Sequence, residues 1–177
     1  MKKLLALLLP ALFVMNTYAQ TAQKVTKSSV TFQIKNMGIN TNGTFSGLEA
    51  DIVFDPTNLG ASHLNASVDA TSVNSDNSMR DNHLKSEDYF EVAKYPKITL
   101  KSVSINHKSG SNYTGVFDVT IKDKTKQLEM PFTYTESGNS AQFKGTLKIV
   151  RTDFGVGGSS MILSKEAFVT IDVQTTK

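Results

Sequence analysis

The sequence predicts an all-β fold of antiparallel strands, interrupted once by a short helical insert. Three observations predict it. Apolar and polar residues alternate with a period of two along most of the chain, the pattern of strands with one buried face. The connections are short and rich in Asp, Asn, Ser, Gly and Pro, as in Asp55-Pro56-Thr57-Asn58, Ser109-Gly110-Ser111, Asp123-Lys124-Thr125 and Ser137-Gly138-Asn139, which suits antiparallel neighbours rather than crossover helices. The alternation stops only at residues 79–96, MRDNHLKSEDYFEVAKYP.

Ahead of the strands, Lys2 and Lys3 precede an apolar run from Leu4 to Met15 and then Thr17-Tyr18-Ala19. This is the layout of a secretory signal peptide cleaved after Ala19, and its apolar run is short of the ~20 residues needed to span a bilayer. Residues 1–19 are therefore expected to be removed and residues 20–177 to form one exported domain, with no transmembrane segment left. The chain carries 19 Lys and Arg against 16 Asp and Glu. Loss of Lys2 and Lys3 leaves 17 against 16, a balance with interspersed signs that gives no electrostatic reason to expect nucleic acid or an anionic membrane surface as a partner. The absence of cysteine excludes disulfides, thiolate catalysis and cysteine-based metal sites.

Eight strands are expected, near residues 25–37, 43–55, 62–73, 96–108, 112–122, 126–136, 140–151 and 165–175. Val30, Phe32 and Ile34 share one face of the first. Leu48, Ala50, Ile52 and Phe54 share one face of the second, with Gly47 placed for a bulge after Phe45. Leu64, Ala66 and Val68 follow, then Ile98 and Leu100, then Tyr113, Gly115, Phe117, Val119 and Ile121. The last three strands align Leu128, Met130, Phe132 and Tyr134; Phe143, Gly145, Leu147 and Ile149; and Ala167, Val169, Ile171 and Val173. Pro131 removes a ladder donor and implies a bulge or an unpaired position. Strands of this kind close into a barrel or pack as a sandwich, and periodicity does not choose between them.

Within the insert, Ser78 and Asp81 have the spacing of a helix start, Met79 and His83 share a helical face, and Tyr89 and Phe90 are placed to reach the core. Tyr95-Pro96 enforces extended backbone into the next strand. A short helix at this place caps one open end of the sheet.

The insert resembles the hallmark of the YceI-like family. The matching residues are Arg80-Asp81, His83-Leu84, Ser86, Phe90, Tyr95-Pro96 and Ser102. Arg151-Thr152-Asp153-Phe154-Gly155-Val156 is a second match, and Ser29-Val30-Thr31-Phe32 with Gly43-Thr44-Phe45-Ser46-Gly47 a third. The resemblance implies an eight-stranded, lipocalin-like antiparallel barrel in the periplasm, with the helical insert between strands three and four and an apolar tunnel for a polyisoprenoid or similar long-chain lipid. The tunnel would be lined by Phe32, Ile34, Phe45, Ile52, Phe54, Leu64, Val68, Phe90, Ile98, Leu100, Phe117, Val119, Met130, Phe132, Phe143, Leu147 and Phe154. The chain departs from the family pattern at Asn36, where many members have histidine, and at Asp123-Lys124, where a turn glycine is usual.

Arg80, Asp81, His83, Arg151 and Asp153 are the candidate lid or headgroup residues. Either they pair with one another and fasten the lid to the loop after the seventh strand, or an arginine faces a polar lipid head. His63, His83 and His107 are scattered and lack metal-ligand spacing, so no metal site is expected. Gly155-Val156-Gly157-Gly158-Ser159 lacks the lysine and following helix of a phosphate loop. The expected function is carriage, storage or protection of a long-chain lipid by a monomer or homodimer, without catalysis and without a cofactor other than a bound isoprenoid quinone or polyprenyl lipid. Two alternatives stand beside it: a lipid hydrolase or isomerase using His83 and Asp81, and a filled barrel that binds an envelope protein.

Overall fold

The computed structural model describes residues 22–177; the expected signal segment lies outside the described residues. Nine antiparallel strands form one sheet: β1 (Lys24–Asn36), β2 (Ile39–Phe45), β3 (Glu49–Val53), β4 (His63–Asp69), β5 (Lys97–Ser109), β6 (Asn112–Ile121), β7 (Lys124–Ser137), β8 (Ser140–Val150) and β9 (Leu163–Thr176). Helix α1 (Ser78–Lys85) lies between β4 and β5. The strand order is β2-β1-β9-β8-β7-β6-β5-β4-β3. The two edge strands are therefore consecutive in the chain, joined only by Ser46-Gly47-Leu48. Three residues span about 10 Å at most, so the sheet has to curl until its edges meet at this corner.

Eight strands were expected and nine are found, because the segment 43–55 is two strands. Gly47 adopts the left-handed φ of 68°, which only glycine enters without strain. The corner turns the chain from pairing with β1, where Val30 opposes Phe45, to pairing with β4, where Glu49 opposes Ser67. Pro131 produces no bulge against β6, where it opposes Thr114. Pairing of β7 with β8 instead ends at Phe132 and Gly145, so the proline marks the point where those two strands part.

The bend leaves two different seams. At the end formed by the β3–β4, β5–β6 and β7–β8 turns, Gln23 closes the seam between β1 and β3: its backbone N–H donates to the Ile52 carbonyl at 2.8 Å. Buried Thr175 donates to Gln23 Oε1 at 2.6 Å, and Gln23 Nε2 reaches the Phe54 carbonyl at 3.4 Å. These bonds satisfy polar groups that would be costly to bury unpaired. Between β2 and β4 the other seam stays open, and the insert fills it. Thr44 and Asn74 exchange backbone bonds of 2.8 and 3.0 Å, and Ser72 Oγ accepts from the Ser46 N–H at 2.8 Å.

The closed end is filled. Phe54 lies among Tyr113, Tyr134 and Phe143, with ring centroids 5.3, 4.6 and 5.3 Å away. Such contacts each add about 0.5–1.5 kcal/mol beyond burial. The Tyr134 hydroxyl donates to Glu136 at 2.6 Å. Burial, followed by this bond, drives the phenol's pKa up, while Lys177 and then Tyr134 hold the Glu136 carboxyl below its usual range.

The corner yields a test. A Cβ at Gly47 would meet only Asp69 Cβ, at 3.5 Å, so the cost of a side chain there is conformational rather than steric. Gly47→Val should lower stability by about 1–3 kcal/mol, measured by urea denaturation. An unchanged midpoint would mean the corner does not depend on a left-handed residue.

Candidate functional site

At the opposite end the inward faces do not meet. They enclose a cavity of about 890 Å³, near the upper end of the size of small-molecule pockets. Seven of the nine strands border it, all but β3 and β7, mostly through alternate residues, as the pleat dictates. Val30, Phe32 and Ile34 come from β1, Ala66 and Val68 from β4, Ile98 and Leu100 from β5, and Val119 and Ile121 from β6. Leu147 and Ile149 come from β8, and Ala167, Val169 and Ile171 from β9. Phe45 and Leu48 flank the corner, and Leu84, Tyr89 and Phe90 enter from the lid. Phe90 meets Phe45 edge-on at 5.6 Å, holding the lid against the corner.

The side chains read as tunnel-lining divide into three groups. Phe32, Ile34, Phe45, Val68, Phe90, Ile98, Leu100, Val119 and Leu147 border the large cavity. Ile52, Leu64, Phe117, Met130, Phe132 and Phe143 border a second void of only about 50 Å³ deeper in the sheet. Phe54 and Phe154 border neither and are buried in the core. Ala66, Leu100 and Ile171 face both voids and so form the partition between them. Several lining residues lay on the alternating faces without being selected, among them Val30, Ile121, Ile149 and Val169. Period two assigns a face but not a height along the axis. Leu48 also lay on an alternating face without being selected, while Leu84 and Tyr89 had no periodic signal.

Polar groups gather at the lid end. Helix α1 is capped by Asn77, whose side chain accepts from the Arg80 N–H at 2.9 Å, so the cap falls one residue before the expected Ser78 and Ser78 is the first helical residue. Asp81 reaches back to Ser75, accepting from its N–H at 2.9 Å and its hydroxyl at 2.5 Å. Arg80 donates to the same residue, to Oγ at 2.7 Å and to the carbonyl at 2.6 Å. Ser75 thus stands between the two charges. His83 is exposed and packs edge-on against Tyr89, 4.8 Å between centroids. Asn36, the position of the family's histidine, borders the cavity too. The left-handed φ of the β6–β7 turn falls on Lys122, at 57°, and its ammonium holds the lid through the Glu87 carbonyl at 3.0 Å and Glu91 at 3.4 Å.

The expected pairing of Arg80, Asp81, Arg151 and Asp153 is not found: among the described residues neither arginine makes an ion pair with either aspartate. The lid joins the loop after β8 through backbone instead, the Gly157 N–H donating to the Asp88 carbonyl at 2.8 Å. Arg151 is only 5% exposed. It donates to the carbonyls of Ser164 at 2.8 Å, Val156 and Gly158 at 2.9 Å each, and Leu163 at 3.3 Å. One Nη2 hydrogen has no partner among the described residues, and the residue borders the cavity. Carbonyl dipoles and not a carboxylate hold this charge, because a planar fork can span several backbone groups at once. Asp153 is exposed. No cluster of three or more metal-ligating side chains occurs among the described residues.

A curled antiparallel sheet with one end packed and the other hollow defines a barrel-like protein with an apolar, ligand-sized cavity under a helical lid. The YceI-like domain model matches residues 22–175, and the chain belongs to the YceI-like family. It is 30% identical over 152 residues to Protein YceI of Escherichia coli, covering 82% of this chain and 79% of that one. It is 29% identical over 151 residues to a UPF0312 protein of Vibrio parahaemolyticus, covering 80% of each. Among solved structures, BcnA of Burkholderia cenocepacia superposes with a TM-score of 0.82 at 26% identity, over 87% of this chain and 99% of that one. A polyisoprenoid binding domain from Saccharophagus degradans, implicated in plant cell wall breakdown, superposes with a TM-score of 0.63 at 15% identity, over 88% and 97%. At that identity the likeness is one of fold.

Arg151→Met should cost about 3 kcal/mol or more, because it strands several carbonyls at once. Arg151→Lys should recover little of this, since an ammonium cannot span the same set. Denaturation midpoints of the two variants decide it; a wild-type midpoint for Arg151→Met would show that the loop holds without the guanidinium.

Proposed function

We propose that the cavity holds the apolar chain of a polyisoprenoid or similar long-chain lipid, with its polar end toward the lid. The observation that carries this reading is the lining: aliphatic and aromatic side chains predominate along the barrel, the charged groups stand at α1 and at Arg151, and the strands add only Asn36, Thr41, Ser67 and Thr99 as polar lining. Burial of roughly 400 Å² of hydrocarbon at ~25 cal/mol per Å² gives about 10 kcal/mol. A micromolar complex needs about 8 kcal/mol, which leaves a small surplus toward the cost of association. Arg80, His83 and the free Nη2 hydrogen of Arg151 are the groups available to a headgroup, an isoprenoid quinone carbonyl or a polyprenyl phosphate among them. The S. degradans domain supports the reading only as an instance of this fold among polyisoprenoid-binding domains.

Binding rather than catalysis is favoured by the same geometry. A base needs a partner to orient it. Asp81 is committed to Ser75, and His83 packs on Tyr89, so the two do not form a dyad. In this reading the protein works as a monomer or homodimer outside the cytoplasm, after loss of residues 1–19, carrying, storing or protecting its lipid in a bacterial periplasm.

Mass spectrometry of the purified protein, native and after organic extraction, should find one long-chain lipid per binding unit. Ala66→Phe places a ring in the cavity floor and should weaken binding about tenfold or more while the protein stays folded. A protein that is empty and also refuses added isoprenoid quinones and polyprenyl lipids would overturn the proposal.

A further inference from the structure

One layer of side chains separates the two voids, and the register of the sheet shows how it is built. Val119, Leu100, Ala66 and Ala50 stand directly opposite one another on β6, β5, β4 and β3. Along this line Val119 faces only the large cavity, Leu100 and Ala66 face both voids, and Ala50 faces only the deeper one. A second line crosses the other half of the sheet through Phe45, Val30, Ile171 and Gly145, on β2, β1, β9 and β8. Phe45 and Val30 face the large cavity, Ile171 both voids, and Gly145 the deeper one. Strands of a closed sheet tilt against its axis, so a line of opposed residues descends as it crosses them. Both lines pass from one void to the other at Leu100, Ala66 and Ile171, which therefore lie at one level.

Below that level the interior is nearly full. The deeper void measures about 50 Å³ against about 890 Å³ above it. It is bordered by Phe117, Phe132 and Phe143, all buried. Two glycines let side chains press close here. A Cβ at Gly115 would fall 2.3 Å from the Phe117 ring, and one at Gly145 would fall 3.0 Å from Phe132 Cβ and 3.1 Å from Met130 Sδ. An interior packed this closely resists a further segment of chain. The opposite end of the large cavity is marked as well, by the charged groups of α1 and Arg151.

We propose that the cavity measures its ligand: the polar head is held at the lid, the tail ends against Leu100, Ala66 and Ile171, and a chain of one preferred length fills the space between. This rests on the lipid-binding reading above and adds that chain length, not apolarity alone, decides what is bound. A shorter chain forfeits burial with every methylene it lacks. A longer one has to force the partition or leave its head outside the lid, and loses packing or polar contacts.

In the test, the purified protein is offered an equimolar mixture of ubiquinones with two to ten isoprene units, and separately a matching series of polyprenyl phosphates. Bound lipids are extracted and identified by mass spectrometry. The bound fraction should peak at one length, or two adjacent ones, instead of following the mixture. Leu100→Ala joins the voids and should move the peak up by about one isoprene unit. Ile171→Val, which disturbs the fold less, should enrich the next longer homologue about threefold. Ala66→Leu thickens the partition and should move the peak down. Ile34→Ala enlarges the large cavity away from the partition; it should lower uptake at every length and leave the peak in place. A bound distribution that copies the mixture, that rises steadily to the longest homologue, or that is unchanged in Leu100→Ala and Ile171→Val would overturn the proposal and leave lipid binding intact. Uptake of no homologue in either series would remove the function proposed above and the length selection with it.

Discussion

The corner at Ser46-Gly47-Leu48 is the constraint on which the rest of the molecule depends. A sheet of nine strands has two edges with unsatisfied backbone groups, and an open edge invites pairing with another chain. Here the edges are consecutive strands tied by three residues, so they converge whatever the rest of the sheet does. The left-handed glycine lets one continuous segment serve β1 with its first half and β4 with its second. Closure is then achieved differently at the two ends. Gln23 seals one with backbone and side-chain bonds, and the insert seals the other with a two-bond bridge at Thr44 and Asn74.

From this asymmetry follows the division into a packed end and a hollow one. Where β3 pairs with β4 and meets Gln23, the inward side chains include large aromatics in edge-on, tilted and stacked contact, and the interior is full. Where β2 diverges from β4, the space is wider and the inward residues are mostly aliphatic, facing a void rather than one another; Ile34, Ile98, Leu100 and Ile171 are half-buried and Val30, Val119 and Leu147 buried. Close packing is the normal state of a protein interior, and a void of about 890 Å³ lined by apolar groups carries a cost in lost contacts. A fold that keeps such a void against that cost has a use for it. The lid is fastened by backbone bonds and by the mostly buried Lys122–Glu91 ion pair, while carbonyl dipoles hold the Arg151 charge beside it.

The loop after β8 joins these themes. Arg151 gathers four carbonyls from residues 156–164, and Gly157 lets that loop press against Tyr89, where a Cβ would lie 2.9 Å from the ring. One buried side chain therefore shapes the cavity wall, the contact with the lid and the segment that carries Met161 and Ile162. The arginine reads in the sequence as a charge in search of a carboxylate. In the fold its partners are main-chain oxygens, which leave no trace in residue identity.

Period-two alternation was enough to assign strands, their inward faces and the single helical interruption, because the pleat forces successive side chains to opposite sides whatever surrounds them. The residues of the insert and of the Arg151 segment were enough for the family. Alternation carries no information about height along the axis. It therefore grouped Phe132 and Phe143, which pack the closed end, with Ile98 and Val119, which face the cavity. The split of 43–55 into two strands was signalled only by Gly47, and its consequence depends on which neighbours each half pairs with. The partners of Arg80, Asp81 and Arg151 were decided by tertiary structure alone, since hydrogen bonds to Ser75 and to loop carbonyls depend on where the backbone passes.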